Sequence, residues 1–221
     1  MLQTFEVTIP PLEIEKNIGI LVRNRLGAEL MLYDPEFTRN SKPGLFENIG
    51  ELLRGHGIVP TVHGPFYDLN PGSKDSAVRG YTLKCFSETL DASSRLGARL
   101  VVLHTGLNPL LPIHFQEEWL ERSVCSWKII TGEAEKRKLP VAIENTFAPD
   151  SSTIESIAAG VSSEWLKVCF DPAHVHVYSK KTVGEWLDRL DGMVAEVHLN
   201  DNSGDYDDHL PLGEGTVDFE D

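Results

Sequence analysis

The sequence predicts an α/β fold, a barrel of the TIM (β/α)8 type with the eighth strand missing from this chain. Three observations predict it. Seven short apolar runs alternate with longer stretches of helical periodicity, the runs are apolar almost throughout, and polar, ligand-type side chains end one run after another. Alternation of strands and helices implies parallel pairing through right-handed crossovers. Continuous apolar runs such as VVLH, VAIEN and LKVCF suit strands covered on both faces. A doubly wound open sheet would give the same alternation. The polar strand ends favour the barrel, because barrel enzymes carry their sites at the carboxyl ends of the strands.

In order along the chain, strands are expected over 5–10, 28–34, 61–66, 100–104, 141–145, 166–170 and 193–200. Helices at about 3.6-residue periodicity are expected over stretches such as 44–54, 77–96, 117–138, 152–159 and 182–190. Asp75, Asp150 and Ser152 suit helix starts, while Gly55, Gly57 and Gly97 stand where C-terminal caps would lie. After Gly215 the text TVDFED reads as the start of another helix, and no eighth strand follows. The 221 residues are fewer than the roughly 250 of a complete barrel, so 1–221 is expected to be one barrel domain, incomplete at its C-terminal end.

The formal charge of −14 works against a long nucleic-acid footprint, which needs a basic patch to displace counterions. It leaves room for a small-molecule substrate, drawn in by a local cation. No apolar run approaches the roughly 18 residues needed to cross a bilayer, and Met1 is followed by no leader pattern, so a cytoplasmic protein is expected. Cys85, Cys125 and Cys169 are widely spaced without a C-x-x-C pair, which reads as reduced core thiols. The sequence sets no oligomeric state. It also carries no phosphate-cradling glycine motif and no G-x-S-x-G elbow, so neither a nucleotide cofactor nor an elbow serine has motif support.

The chemistry gathers at the strand ends. His63 ends the third strand in VHGPF, His104 the fourth in LHTG and Glu144 the fifth in IENT. Asp171 and His174 follow the sixth in CFDPAHVH, His198 ends the seventh in VHLND, and Asp207 and His209 stand in DDHLPLGEG. Each alone has a structural reading, a hydrogen-bonded histidine or a carboxylate capping the next helix. Together, if the barrel closes, they point into one bowl, where several imidazoles and carboxylates are costly unless a cation neutralises them. Imidazole with carboxylate suits a divalent metal, zinc or manganese first. His176 and Asp201 read as supports one step removed, and His56 and His114 as surface residues.

Taken in order, IENT, CFDPAH, HLND and DDHLPLGEG resemble the xylose isomerase-like TIM barrels, which include endonuclease IV (AP endonuclease family 2) and the sugar phosphate isomerases and epimerases. The resemblance runs from His63 to Gly215. From its endonuclease IV-like branch it implies three metal ions, held by His63, His104, Glu144, Asp171, His174, His198, Asp207 and His209, with Glu144 bridging. From the isomerase branch it implies one metal on Glu144, Asp171 and His198. The final glutamate of both branches has no counterpart among these residues. The segment HGPFYDLNPGS with LGARLVVLHTG is also similar to the cobamide-remodelling, CbiR-type enzymes.

The resemblance implies a metal-dependent enzyme. Hydrolysis of a small phosphorylated or amide-linked metabolite, with Glu144 as the catalytic carboxylate, is the first expectation. Sugar isomerisation or epimerisation on one metal, with Glu144 moving a proton, is the second. Cleavage of abasic DNA, which the acidic balance argues against, is the third, and a barrel kept as a binding module with an incomplete site is the fourth.

Overall fold

The computed structural model describes residues 5–219. Seven strands, β1 (Glu6–Ile9), β2 (Gly27–Met31), β3 (Thr61–His63), β4 (Val101–His104), β5 (Val141–Glu144), β6 (Leu166–Phe170) and β7 (Val194–Val197), form one parallel sheet in the order β1 to β7. Strand order following chain order means that every crossover steps the same way. A doubly wound sheet would reverse direction at its switch point. The sheet curls on itself: His198, just past β7, reaches Glu29 of β2, and the Thr61 hydroxyl of β3 donates to Glu196 of β7. This is the expected TIM-type barrel with seven strands. Among the described residues, β1 pairs only with β2, and β7 only with β6.

Helices α1 (Ile14–Asn24), α2 (Pro35–Asn40), α3 (Leu45–Gly55), α4 (Ser76–Leu96), α5 (Ile113–Arg137), α6 (Ser152–Val161), α7 (Pro172–Tyr178) and α8 (Val183–Arg189) connect the strands. Asp75 caps α4 by accepting from the Ala77 amide, and Gly97 ends that helix at φ 72°. α8 starts with a reciprocal capping box between Thr182 and Glu185. Three helices, α1, α2 and α7, stand beyond the five expected stretches. Residues 216–218 of the expected terminal helix have no regular structure, and Glu220 and Asp221 lie outside the described residues. No helix among the described residues is long and apolar enough to cross a membrane.

The pleat divides the core in two. One parity of strand residues (Val62, Val101, Leu103, Val141, Ile143, Leu166, Val168, Phe170) packs outward against Trp127, Phe86, Trp119 and Trp186 of the helices in one continuous cluster. Each fully buried side chain of this kind contributes about 1.5–3 kcal/mol. The other parity leaves a small separate cluster of Leu100, Val102, Ala142 and Cys169 inside the barrel. That inner cluster is the apolar floor of the site.

Candidate metal centre

Register assembles the centre. Parallel pairing sets His104 beside Glu144 and Glu144 beside Cys169, while Val102, two residues before His104, lies beside His63. All project inward at the carboxyl ends of their strands. Gly64 follows His63 in close quarters, where a Cβ would stand 2.5 Å from Leu103 Cδ2 and force that side chain to shift. Glu144, 2% exposed, is the hub. Its Oε2 faces His63 Nε2 at 3.2 Å and His104 Nε2 at 2.9 Å, and its Oε1 faces His198 Nδ1 at 2.9 Å and His174 Nδ1 at 3.6 Å.

The D-x-x-H segment has a local logic. Asp171 is the N-cap of α7, its Oδ1 accepting from the Ala173 and His174 amides, and Pro172 occupies the first helical position, where no amide hydrogen is needed. The cap turns the chain so that His174, third in the helix, comes back over the strand ends. Asp171 Oδ2 stays free of the cap, 3.8 Å from His174 Nε2, and accepts from Asn200 Nδ2 at 2.7 Å. Asn145 locks this corner, donating to the Asp171 carbonyl at 2.9 Å and accepting from its amide at 2.6 Å. Capping therefore leaves Asp171 free to face the cluster as well, since Oδ1 alone carries the cap and Oδ2 points away from it.

Asp207 and His209 come from the loop after β7. Asp207 Oδ2 faces His174 Nε2 at 3.2 Å and His209 Nε2 at 3.3 Å. Asp201 shapes the loop: one oxygen accepts from the Gly213 and Gly215 amides and the other from the Asn202 and Val217 amides. LGEG needs its last glycine because a Cβ at 215 would meet Asn202 O and Asp201 Oδ1 at 2.3 Å. His176 is exposed and bonds Thr216 Oγ1 at 2.9 Å, tying α7 to the same loop. Both act as loop supports. His56 and His114 are exposed and away from the cluster.

The structure thus brings all eight expected residues into one linked cluster. His63, His104 and Glu144 offer ligand atoms within 4.8 Å of one another, as do Glu144, Asp171 and His174, and again His174, Asp207 and His209. The donor set fits a divalent cation. So do two buried atoms without a hydrogen-bond partner, His174 Nδ1 and Asp207 Oδ1, which each cost about 1–3 kcal/mol left bare. Sequence reasoning missed the inward residues that precede the strand ends. Cys169 joins Glu144 and His198 in one group of potential ligand atoms, and Glu29 and Glu196 join His198 in another. A glutamate inside the run AELM was the available signal for Glu29.

Burial alone would raise the Glu144 carboxyl, but His198 and His104 hold it well below the usual carboxylate range. Burial lowers His104 and raises Asp171. Burial also opposes a charge on His174, but Asp207, Asp171 and Glu144 prevail and push it up to about 9. Metal ligands bind deprotonated, so at pH 7 a cation must displace the His174 proton. Zinc affinity is accordingly expected to climb by about tenfold per pH unit for each proton displaced, from pH 6 towards about 9, with proton release on binding. Calorimetry in buffers of differing ionisation enthalpy measures this, and a pH-independent affinity without proton release contradicts it.

The sequence matches the family described as xylose isomerase-like TIM barrel over residues 25–221. It is 28% identical over 195 residues to the uncharacterised protein MJ1311 of Methanocaldococcus jannaschii, covering 83% of this chain and 65% of that protein. It is 25% identical over 182 residues to the probable endonuclease 4 of Mycobacterium leprae, covering 77% of this chain and 69% of that protein. This chain thus spans about two thirds of the length of these relatives. Among solved structures, the TTHB071 protein from Thermus thermophilus, soaked with zinc chloride, aligns at 30% identity and a TM-score of 0.82, over 97% of this chain and 84% of that one. A D-tagatose 3-epimerase-like protein shares the fold at 24% identity and a TM-score of 0.83, over 98% and 83% of the two chains.

Proposed function

The chain belongs to the xylose isomerase-like TIM-barrel family, and we propose that it is a divalent-metal-dependent hydrolase acting on a small phosphorylated or amide-linked metabolite. One observation carries this reading. Four ligand groups are joined into a single cluster by two shared residues, three of them meeting at Glu144 (one of these through Cys169 and His198) and the fourth attached through His174. One ion needs three or four protein ligands, whereas eight linked imidazoles and carboxylates suit two or three neighbouring ions, the arrangement of hydrolytic multi-metal sites. Bound divalent ions supply a water acidic enough to ionise near neutral pH and positive charge for the developing oxyanion.

The protein's own residues supply geometry and enclosure. Glu144 presents its two oxygens to opposite sides of the bowl, His63 and His104 on one side and His174 and His198 on the other. Phe66 stacks on His104 at 4.4 Å and Tyr33 packs edge-on against His63 at 4.8 Å, screening those imidazoles from water. Tyr178 lies 5.9 Å from His174, with Phe147 against it. The segment that carries Asp207 and His209 is acidic, with no lysine or arginine after Arg189. This supports a small substrate held by cations and rings over a nucleic-acid chain held by basic side chains.

A second reading rests on the approach of His198 to the same Glu144 oxygen that His174 faces. Glu144, Asp171 and His198 would then serve one ion, as sugar isomerisation or epimerisation requires. Metal content decides between the two. Two or more equivalents of zinc or manganese per chain, measured by elemental mass spectrometry after dialysis, are expected for the hydrolase, and one equivalent would favour the isomerase. Weak, salt-insensitive binding to an abasic duplex is expected, and tight binding with a steep salt slope would instead favour a DNA substrate.

A further inference from the structure

Beneath the ligand layer lies a second set of carboxylates that the proposed chemistry does not use. Glu29, in the middle of β2, is 3% exposed, with its Oε2 accepting from the Thr8 hydroxyl at 2.9 Å. Its Oε1 lies 3.1 Å from His198 Nε2, while the other ring nitrogen, Nδ1, lies 2.9 Å from Glu144 Oε1. The imidazole is held between carboxylates of two other strands, stacked on His63 at 5.6 Å and 23°.

A glutamate buried merely for packing would need a cation of its own. Arg99, the basic side chain paired with the neighbouring carboxylates, is partly exposed and engaged elsewhere, 2.8 Å from Glu6 and 3.9 Å from Glu196. The Thr61 hydroxyl likewise serves Glu6 and Glu196. His198 is the only charge-bearing partner that Glu29 has in an ion pair among the described residues.

A neutral imidazole offers a lone pair at one nitrogen and keeps its hydrogen at the other, and the partner of the second nitrogen decides which is which. Glu144 marks the side of the ligand cluster, so a cation shared with Glu144 meets Nδ1, and the hydrogen belongs on Nε2. We propose that Glu29 is a positioning residue that accepts the Nε2 hydrogen of His198, fixing the tautomer and ring orientation that aim Nδ1 at the centre. This inference rests on the reading of the cluster as a metal centre.

The test uses the 221-residue chain as wild type, Glu29→Gln and Glu29→Leu. Zinc affinity is measured by chelator competition, and the histidine ring nitrogens are followed by 15N NMR of the zinc-loaded proteins. In the wild type, His198 is expected to show a metal-shifted Nδ1 and a slowly exchanging Nε2 hydrogen. Glu29→Leu should lose that slow hydrogen and weaken the tightest zinc about 10- to 100-fold. Glu29→Gln, whose amide oxygen still accepts from Nε2, should keep the tautomer and lose less. Zinc at the His174, Asp207 and His209 group should be unchanged in both variants, which verifies their folding. Wild-type affinity in Glu29→Leu overturns the proposal. So does weakened zinc with an unchanged His198 signature, the result of a merely structural role. A wild type that takes up no zinc overturns the metal-centre reading itself, and is recognised because it fails without any substitution.

Discussion

Glu144→Gln is expected to lose the central zinc and part of the fold's stability together. The two oxygens of Glu144 face four imidazoles, so the replacement removes the one charge common to His63, His104, His174 and His198. The amide nitrogen must also take the place of one oxygen, where it repels both a cation and a ring N–H. Structural zinc in zinc-finger peptides binds with about 10–16 kcal/mol, and on that scale one ligand in four accounts for roughly 3 kcal/mol. The affinity of the groups that include Glu144 should then fall by about 100-fold or more, at about 1.4 kcal/mol per decade. The metal-free variant should lose about 3 kcal/mol of stability as well, because removing one partner of a buried ion pair leaves the other charge uncompensated. Zinc titration and thermal unfolding by circular dichroism read the two effects. A variant with wild-type zinc content and wild-type Tm would show that Glu144 is a filler of the bowl and nothing more.

Why the hub was legible in the sequence, and its neighbours were not, follows from the pleat. A residue that ends a strand shows itself by breaking an apolar run, and His63, His104, Glu144, Asp171 and His198 all do so. Further back along each strand both faces are buried, one against helices and one in the barrel interior, so the apolar run looks the same whichever parity points inward. Cys169 reads as a core thiol, and it is one by exposure, yet it lies on the inward parity with its sulfur beside Glu144 and His198. Glu29 and Glu196 do interrupt their runs, in AELM and VAEV, but in mid-strand, away from the strand ends where a site is sought. The helix α7 was masked for a different reason. Apart from Ala173, PAHVHVY is made of weak helix formers, and the Asp171 cap and Pro172 at the first position favour its helical form. Asp201 shows the reverse case, a carboxylate whose position suggests the site and whose four backbone hydrogen bonds assign it to the loop.

Asp171 allows the two roles of one carboxylate to be separated by experiment. Asp171→Asn is expected to keep the fold and lose the metal, and Asp171→Ala to damage both. In the asparagine variant the side-chain oxygen can still accept from the Ala173 and His174 amides, as Oδ1 does now. The new amide group then takes the place of Oδ2, opposite Asn200. Asn200 can turn its own amide to suit, because its Oδ1 is buried without a hydrogen-bond partner and becomes an acceptor on rotation. Stability should therefore fall by less than about 1 kcal/mol, within the range of exchanges among good N-cap residues. The negative oxygen that faces the cluster is gone, however, and zinc affinity at the group with Glu144 and His174 should drop by about 100-fold, the same per-ligand share as before. Alanine removes the cap as well, about 1 kcal/mol, and strands the Asn200 amide hydrogen, about 1–3 kcal/mol more. Urea unfolding of the metal-free proteins, paired with zinc titration, distinguishes the cases. If Asp171→Asn binds zinc like the wild type, the D-x-x-H segment is a helix cap with a buried histidine, and the chain of ligand groups breaks at its middle link.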